Sequence, residues 1–151
     1  MDKLTEIIHE LESRIPYHEK TNPEVSVSSA GWHIEHSLLT VNNIIRALQS
    51  SDPQKYKWKF NPTRTLVFVM NRIPRGRAKS PEIVQPKGNL NSDTLNEHFK
   101  ITGEKLRILE NLNSGNFFDH PFFGRLNLKP TVKFLIIHTK HHLDIIDDII
   151  R

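Results

Sequence analysis

Apolar residues recur three and four positions apart in four long stretches of the chain, which is the spacing of one face of an α-helix. The predicted helices cover about 2–14, 29–50, 92–113 and 130–151. Asn61-Pro62 is typical of the start of an additional short helix between the second and third of these. No stretch alternates apolar and polar residues over the length of a useful strand. We therefore predict an all-α fold, a four-helix bundle in which residues 1–151 form a single domain.

The long connection between the second and third predicted helices is basic. The chain has 21 Lys and Arg against 17 Asp and Glu, a formal net charge of +4. Eight of the cations and none of the carboxylates lie between Pro53 and Pro81, so the remaining chain is acidic. We expect this basic loop to contact an anion through Arg72, Arg75, Arg77 and Lys79.

The amino-acid composition excludes several kinds of site and several classes of protein. There is no cysteine, which excludes disulfides, thiolate-ligated zinc and thiol nucleophiles. No apolar run approaches the ~20 residues of a spanning helix, and no secretory signal is visible, so we expect a cytoplasmic protein with no membrane partner. Aromatic residues alternate with lysines only around Trp58, and no recognised nucleic-acid-binding motif accompanies them, so we expect no nucleic-acid partner.

The positions of the histidines along the chain suggest that some of them bind a metal ion. Of the nine histidines, His138 and His142 lie four positions apart on the last predicted helix and share one face, so together they can chelate one metal ion. A third ligand has to come from elsewhere, and the second helix offers His33 and His36. Spacing does not decide between them. His141 is a further ligand, a supporting group or a surface residue, and Asn43 is either a hydrogen-bonding group at the site or a polar surface residue.

The order of these residues resembles the DinB-like superfamily, including its YfiT-like members. The resemblance rests on Trp32-x-x-x-His36 and on His138-x-x-His141-His142, with His120-Pro121-Phe122-Phe123-Gly124 resembling one subfamily of that group. It implies a four-helix bundle in which His36, His138 and His142 hold a metal. His33, His141 and Asn43 then stay as alternative ligands or as supporting groups.

Ligation by imidazole alone favours a divalent transition metal, and we expect Zn, Ni or Fe. Three protein ligands leave a position open for water or substrate, as in catalytic sites. The resemblance implies thiol transfer, and an open metal site also suits hydrolysis, with a thiol or an anionic compound as the small-molecule substrate. His120, in a stretch that we expect to be a loop, is a candidate general acid or base or substrate contact.

Two alternatives to an enzyme stay open. One is a non-enzymatic bundle that binds an anionic partner through its basic segment 53–81. The other is a metal-binding protein with a structural or sensing role, because a fold does not define a reaction. A homodimer also stays open, since no interface can be identified from the sequence.

Overall fold

The computed structural model describes residues 2–76 and 80–151 and is mostly helical. Its α-helices are α1 (Asp2–Glu12), α2 (Ala30–Ser50), α3 (Pro62–Met70), α4 (Ser92–Leu109) and α5 (Leu128–Ile150). Between α4 and α5 lie the strands β1 (Phe117–His120) and β2 (Gly124–Asn127). Short 3-10 helices occupy Ile15–Tyr17, Pro53–Lys55 and Glu82–Val84. The predicted all-α class is therefore confirmed in its coarse form, with one small sheet added.

Side-chain caps define where three of the helices begin. The side chains of Ser29, Asn61 and Asn91 each accept a hydrogen bond from a backbone N–H in the first turn of α2, α3 and α4 respectively. These starts agree with the predicted ones. Helix α4 ends earlier than predicted, at Leu109 rather than near Asn113, because Asn113 and its neighbours form a turn in which its side chain accepts from the N–H of Gly115.

Helix α2 packs against both α4 and α5, and α1 packs mainly on α5. The interior is one connected cluster of apolar side chains to which all five helices contribute. Among its fully buried members are Leu11, Ile34, Leu95 and Leu135. Burying a side chain of this size contributes about 1.5–3 kcal/mol, so this interior fixes how α2 and α5 face each other. None of the helices in the described ranges has the length and apolar character that crossing a bilayer requires.

The expected loop around His120 is instead an antiparallel hairpin. Phe118 pairs with Leu126, and both side chains are buried. On the opposite face, the guanidinium of Arg125 donates to both carboxylate oxygens of Asp119, the residue that it pairs with across the strands. Strands of four residues are too short to produce an alternation that stands out in the sequence, which is why the prediction missed them.

Helix α3 lies over this hairpin with an arginine on its inner side. The guanidinium of Arg64 is buried and donates to the backbone carbonyls of Lys59, Phe123 and Arg125. The side chain thereby ties α3 and the segment before it to the hairpin.

Candidate metal centre

The interface between α2 and α5 brings three of the predicted ligands together. One ring nitrogen from each of His36, His138 and His142 can be chosen so that all three lie within 4.8 Å of one another. The Nε2 atoms of His36 and His138 are 3.3 Å apart. Two nitrogens bound tetrahedrally to one zinc at the usual bond length are separated by about 3.3–3.4 Å. The three histidines therefore could hold a metal ion, and the pair His36 and His138 already has the separation that a tetrahedral ion requires.

The ring of His36 is fixed from two sides. Its Nδ1–H donates to the carbonyl oxygen of Val84, 2.8 Å away, in the 3-10 helix that follows the basic loop. Trp32, one turn earlier on α2, stacks on the ring with a centroid separation of 5.0 Å and an interplanar angle of 9°. With its proton on Nδ1, His36 directs the lone pair of Nε2 into the cluster. A metal-ligating histidine is usually oriented in this way, by a hydrogen bond from the ring nitrogen that does not bind the metal.

His142 is held by another histidine. Its Nδ1 lies 2.9 Å from Nδ1 of His33, and Nε2 of His33 lies 2.9 Å from the hydroxyl oxygen of Ser26. That hydroxyl oxygen also accepts from the N–H of Ser28. Both ring nitrogens of His33 are therefore already occupied, one by His142 and the other by Ser26. The structure places His36, and not His33, beside His138.

His138 differs from the other two members of the cluster. Its side chain is partly exposed, but its Nδ1 is buried and has no hydrogen-bond partner among the described residues. The ring of Phe134 lies next to it, with centroids 5.5 Å apart. Three imidazoles form a donor set that fits a divalent transition metal.

Burial keeps the cluster in the form that binds metals. It lowers the pKa of His36 and holds the pKa values of His138 and His142 well below the usual value for histidine, and the neighbouring histidines add to the effect for the latter two. Burial also lowers the pKa of His33 to about 4. At neutral pH these rings are uncharged, which is the protonation state of a histidine ligand.

His141 is not one of the three clustered histidines, and it lines a surface pocket of about 360 Å³ with Arg72, Arg75 and Asp144. Burial and the nearby Arg75 lower its pKa. Arg75 itself donates to a carboxylate oxygen of Asp148, 2.8 Å away. Of the four predicted anion contacts, Arg72 and Arg75 thus lie beside one pocket, while Arg77 and Lys79 lie outside the described residues.

Asn43 and His120 are also placed outside the three-histidine cluster. The side-chain amide of Asn43 donates to the carbonyl of Leu39 on its own helix, 2.8 Å away. Nδ1 of His120 accepts from the backbone N–H groups of Phe122 and Phe123 in the hairpin turn. The ring of Phe134 lies against both His120 and His138, with its centroid 4.7 Å and 5.5 Å from theirs respectively.

Two supporting groups of the site were not predicted from the sequence. One is the carbonyl of Val84, which any residue type can supply and which therefore leaves no signal. The other is the hydroxyl of Ser26, which lies in an irregular stretch whose course the periodicity does not define. Comparison of the chain with family models, with curated proteins and with solved structures gives no match in any of the three.

Proposed function

We propose that the protein is a metal-dependent enzyme of the DinB-like superfamily that acts on a small molecule, by hydrolysis or by thiol transfer. In this proposal α1, α2, α4 and α5 are the four helices of the bundle. His36, His138 and His142 hold a divalent transition metal, with Zn, Ni or Fe as the expected ions. The 3.3 Å separation between Nε2 of His36 and Nε2 of His138, with His142 beside them, is the observation that carries it.

The surroundings of the cluster support a metal site over a histidine-rich core. Packing uncharged imidazoles together in an interior removes their hydration, and a buried nitrogen without a partner costs about 1–3 kcal/mol. A bound metal would offset this cost for the ring nitrogens that face the cluster, because it would replace their lost hydration with coordinate bonds. In His36 and His142 the outer nitrogens already have hydrogen-bond partners. Only their inward-facing nitrogens are therefore left to bind a metal.

The chemistry follows from the number of ligands. A divalent ion held by His36, His138 and His142 would supply Lewis acidity that could activate a water or a thiol of the substrate. The chain contributes the neutral ligands, the fixed ring orientations and the partly exposed side of the cluster at His138. A thiol substrate has to come from outside, because the chain has no cysteine.

The test is the metal content of protein purified without a histidine tag. We expect close to one transition-metal ion per chain, found by elemental analysis after exposure to Zn, Ni and Fe in turn. The double variant His138→Ala/His142→Ala should lose this ion. The variant His9→Ala, which removes an exposed histidine on α1, is the matched control and should keep it.

Two results would contradict the proposal. A double variant with unchanged metal content would show that the ion lies elsewhere. A folded wild-type protein that takes up no metal from any of the three solutions would show that the cluster is part of the core only. Circular dichroism of each variant separates loss of the site from loss of the fold.

A further inference from the structure

Helix α3 presents apolar side chains outward. Leu66, Val69 and Met70 are 59%, 79% and 60% exposed, although they are spaced so that they share one face of the helix. The inner side carries Val67 and the charged Arg64. A surface helix normally has the opposite arrangement, with its apolar face towards the core and its charges outside. The outer face of α3 therefore lacks a partner within the described part of the chain.

The segment that leads into α3 extends this surface. Its sequence alternates strictly between basic and aromatic residues, Lys55-Tyr56-Lys57-Trp58-Lys59-Phe60. Trp58 and Phe60 are 65% and 67% exposed. Tyr56 and Trp58 line a surface groove of about 530 Å³ together with Phe68 and Val69 of α3. Trp58 and Val69 thus share one groove, and we name the exposed apolar residues of this segment and of the outer face of α3 the α3 surface: Trp58, Phe60, Leu66, Val69 and Met70.

The unpaired charges around the α3 surface are basic, since Asp144, which lines a pocket with Met70 and Arg72, is paired with Lys140. Lys57, Lys59, Arg72 and Lys133 are exposed, and none of them forms an ion pair with another residue in the described ranges. The nearest acidic side chain on the hairpin, Asp119, is engaged by Arg125. A partner that binds this surface should therefore carry negative charge where it meets the basic residues and be apolar where it meets the exposed apolar side chains.

These features together select one kind of occupant. A second copy of the chain would bring two sets of unpaired cations together, which is unfavourable. Single-stranded nucleic acid would use the aromatic rings and the lysines, but aliphatic side chains such as Leu66 and Val69 offer no platform for a base. An anionic bilayer has phosphates at the level of the lysines and acyl chains below them.

We propose that the α3 surface binds the surface of an anionic phospholipid bilayer. Trp58 and Phe60 enter the interface region, Leu66, Val69 and Met70 reach the boundary of the acyl chains, and the lysines lie among the phosphates. This attachment requires no spanning helix, and it departs from the expectation of no membrane partner, which rested on the lack of a long apolar run and of a secretory signal. It is independent of the metal centre and of its chemistry.

The test is binding of the purified protein to vesicles in a flotation experiment. Vesicles of phosphatidylcholine with about a third phosphatidylglycerol should bind the protein at low ionic strength, and vesicles of phosphatidylcholine alone should not. Salt should weaken the binding, because exposed charges are screened. Each lysine placed near the bilayer contributes about fivefold to the affinity, so Lys57→Glu/Lys59→Glu should weaken binding by more than tenfold.

Matched valine variants test the apolar part of the surface. Val69→Asp should weaken vesicle binding at least tenfold, whereas Val27→Asp, at a residue that is 98% exposed outside the α3 surface, should not change it. Circular dichroism confirms that both variants are folded. A failure of wild-type protein to bind anionic vesicles at low salt would overturn the proposal, and so would equal binding by Val69→Asp.

Two further outcomes would assign the surface to another partner and equally overturn the proposal. One is binding of a mixed-sequence single-stranded oligonucleotide that is tighter than vesicle binding and depends on Trp58 but not on Val69. The other is a stable dimer that Val69→Asp dissociates, found by analytical ultracentrifugation in the absence of vesicle binding.

Discussion

The Nδ1 atoms of His33 and His142 lie 2.9 Å apart across the interface between α2 and α5. Both side chains are buried, so water does not compete for either nitrogen. One of the two nitrogens has to carry a proton and the other a lone pair. When His142 carries the proton, its Nε2 lone pair is free for the cluster, and Nδ1 of His33 accepts the hydrogen bond. The Nε2–H of His33 then donates to the hydroxyl oxygen of Ser26, which fixes the orientation of the pair.

His33 should therefore control metal affinity without binding the metal itself. We expect His33→Phe, which keeps a ring of similar size, to weaken the binding of Zn and Ni by about 10–100-fold, because the ring of His142 loses its outer hydrogen bond. Isothermal titration calorimetry measures the change.

His33→Asn is the matched variant, because its amide can still hydrogen-bond to His142, and it should recover part of the affinity. An unchanged affinity in His33→Phe would contradict this role. If His33→Phe bound no metal at any metal concentration, this would instead indicate that His33 is a ligand.

His120 should make stability depend on pH. Burial lowers its pKa to about 4 in the folded protein, while an unfolded histidine titrates near 6.5. The unfolded chain then binds more protons between these two values, so the free energy of unfolding falls as the pH drops from about 7 to about 4. The contribution of this one group reaches at most about 3 kcal/mol. Urea unfolding at several pH values measures it.

His120→Asn separates titration from hydrogen bonding. The asparagine oxygen can still accept from the N–H groups of Phe122 and Phe123, but it does not titrate in this range. We expect a smaller loss of stability between pH 7 and pH 5 than in the wild-type protein. A parallel pH dependence for the two proteins would show that His120 does not contribute.

Arg64 should be a residue whose loss the fold tolerates poorly. Its guanidinium satisfies the carbonyls of Lys59, Phe123 and Arg125, two of which lie in the hairpin region. We expect Arg64→Met to lower the free energy of unfolding by about 2–4 kcal/mol, since buried carbonyls lose their donor.

Arg64→Lys should recover little of this loss, because an ammonium group does not reproduce the planar fork of donors. Denaturant unfolding compares the two variants with the wild-type protein. Wild-type stability in Arg64→Met would contradict the assigned role.

Two glycines in helices should respond in opposite directions to alanine. At Gly31 in α2, an added Cβ would lie 2.8 Å from the carbonyl oxygen of His18, so the chain before α2 would have to move. We expect Gly31→Ala to destabilise the protein by about 1–3 kcal/mol. At Gly103 in α4 an added Cβ meets nothing within 4 Å, and Gly103→Ala should stabilise by about 0.5–1 kcal/mol. Thermal unfolding distinguishes the two, and a stable Gly31→Ala would contradict the close approach.

Much of the helical structure could be predicted because its determinants are local. The caps at Ser29, Asn61 and Asn91 act on N–H groups two or three residues away, and a stripe of apolar residues on one helix has a recognisable period. The pairing of His138 with His142 is local in the same sense, since four residues make about one turn of helix. Their grouping with His36 agreed with the expectation that the resemblance supplied.

Only the tertiary structure decided how the remaining groups are used. His36 finds its acceptor in Val84 and His33 its partner in His142, and each contact joins parts of the chain that are far apart in sequence. The sequence by itself determined which residues can ligate a metal and on which helices they lie. The packing of α2 on α5 decided which histidine faces the cluster and which supports it, because hydrogen bonds to distant atoms leave no periodicity in the sequence.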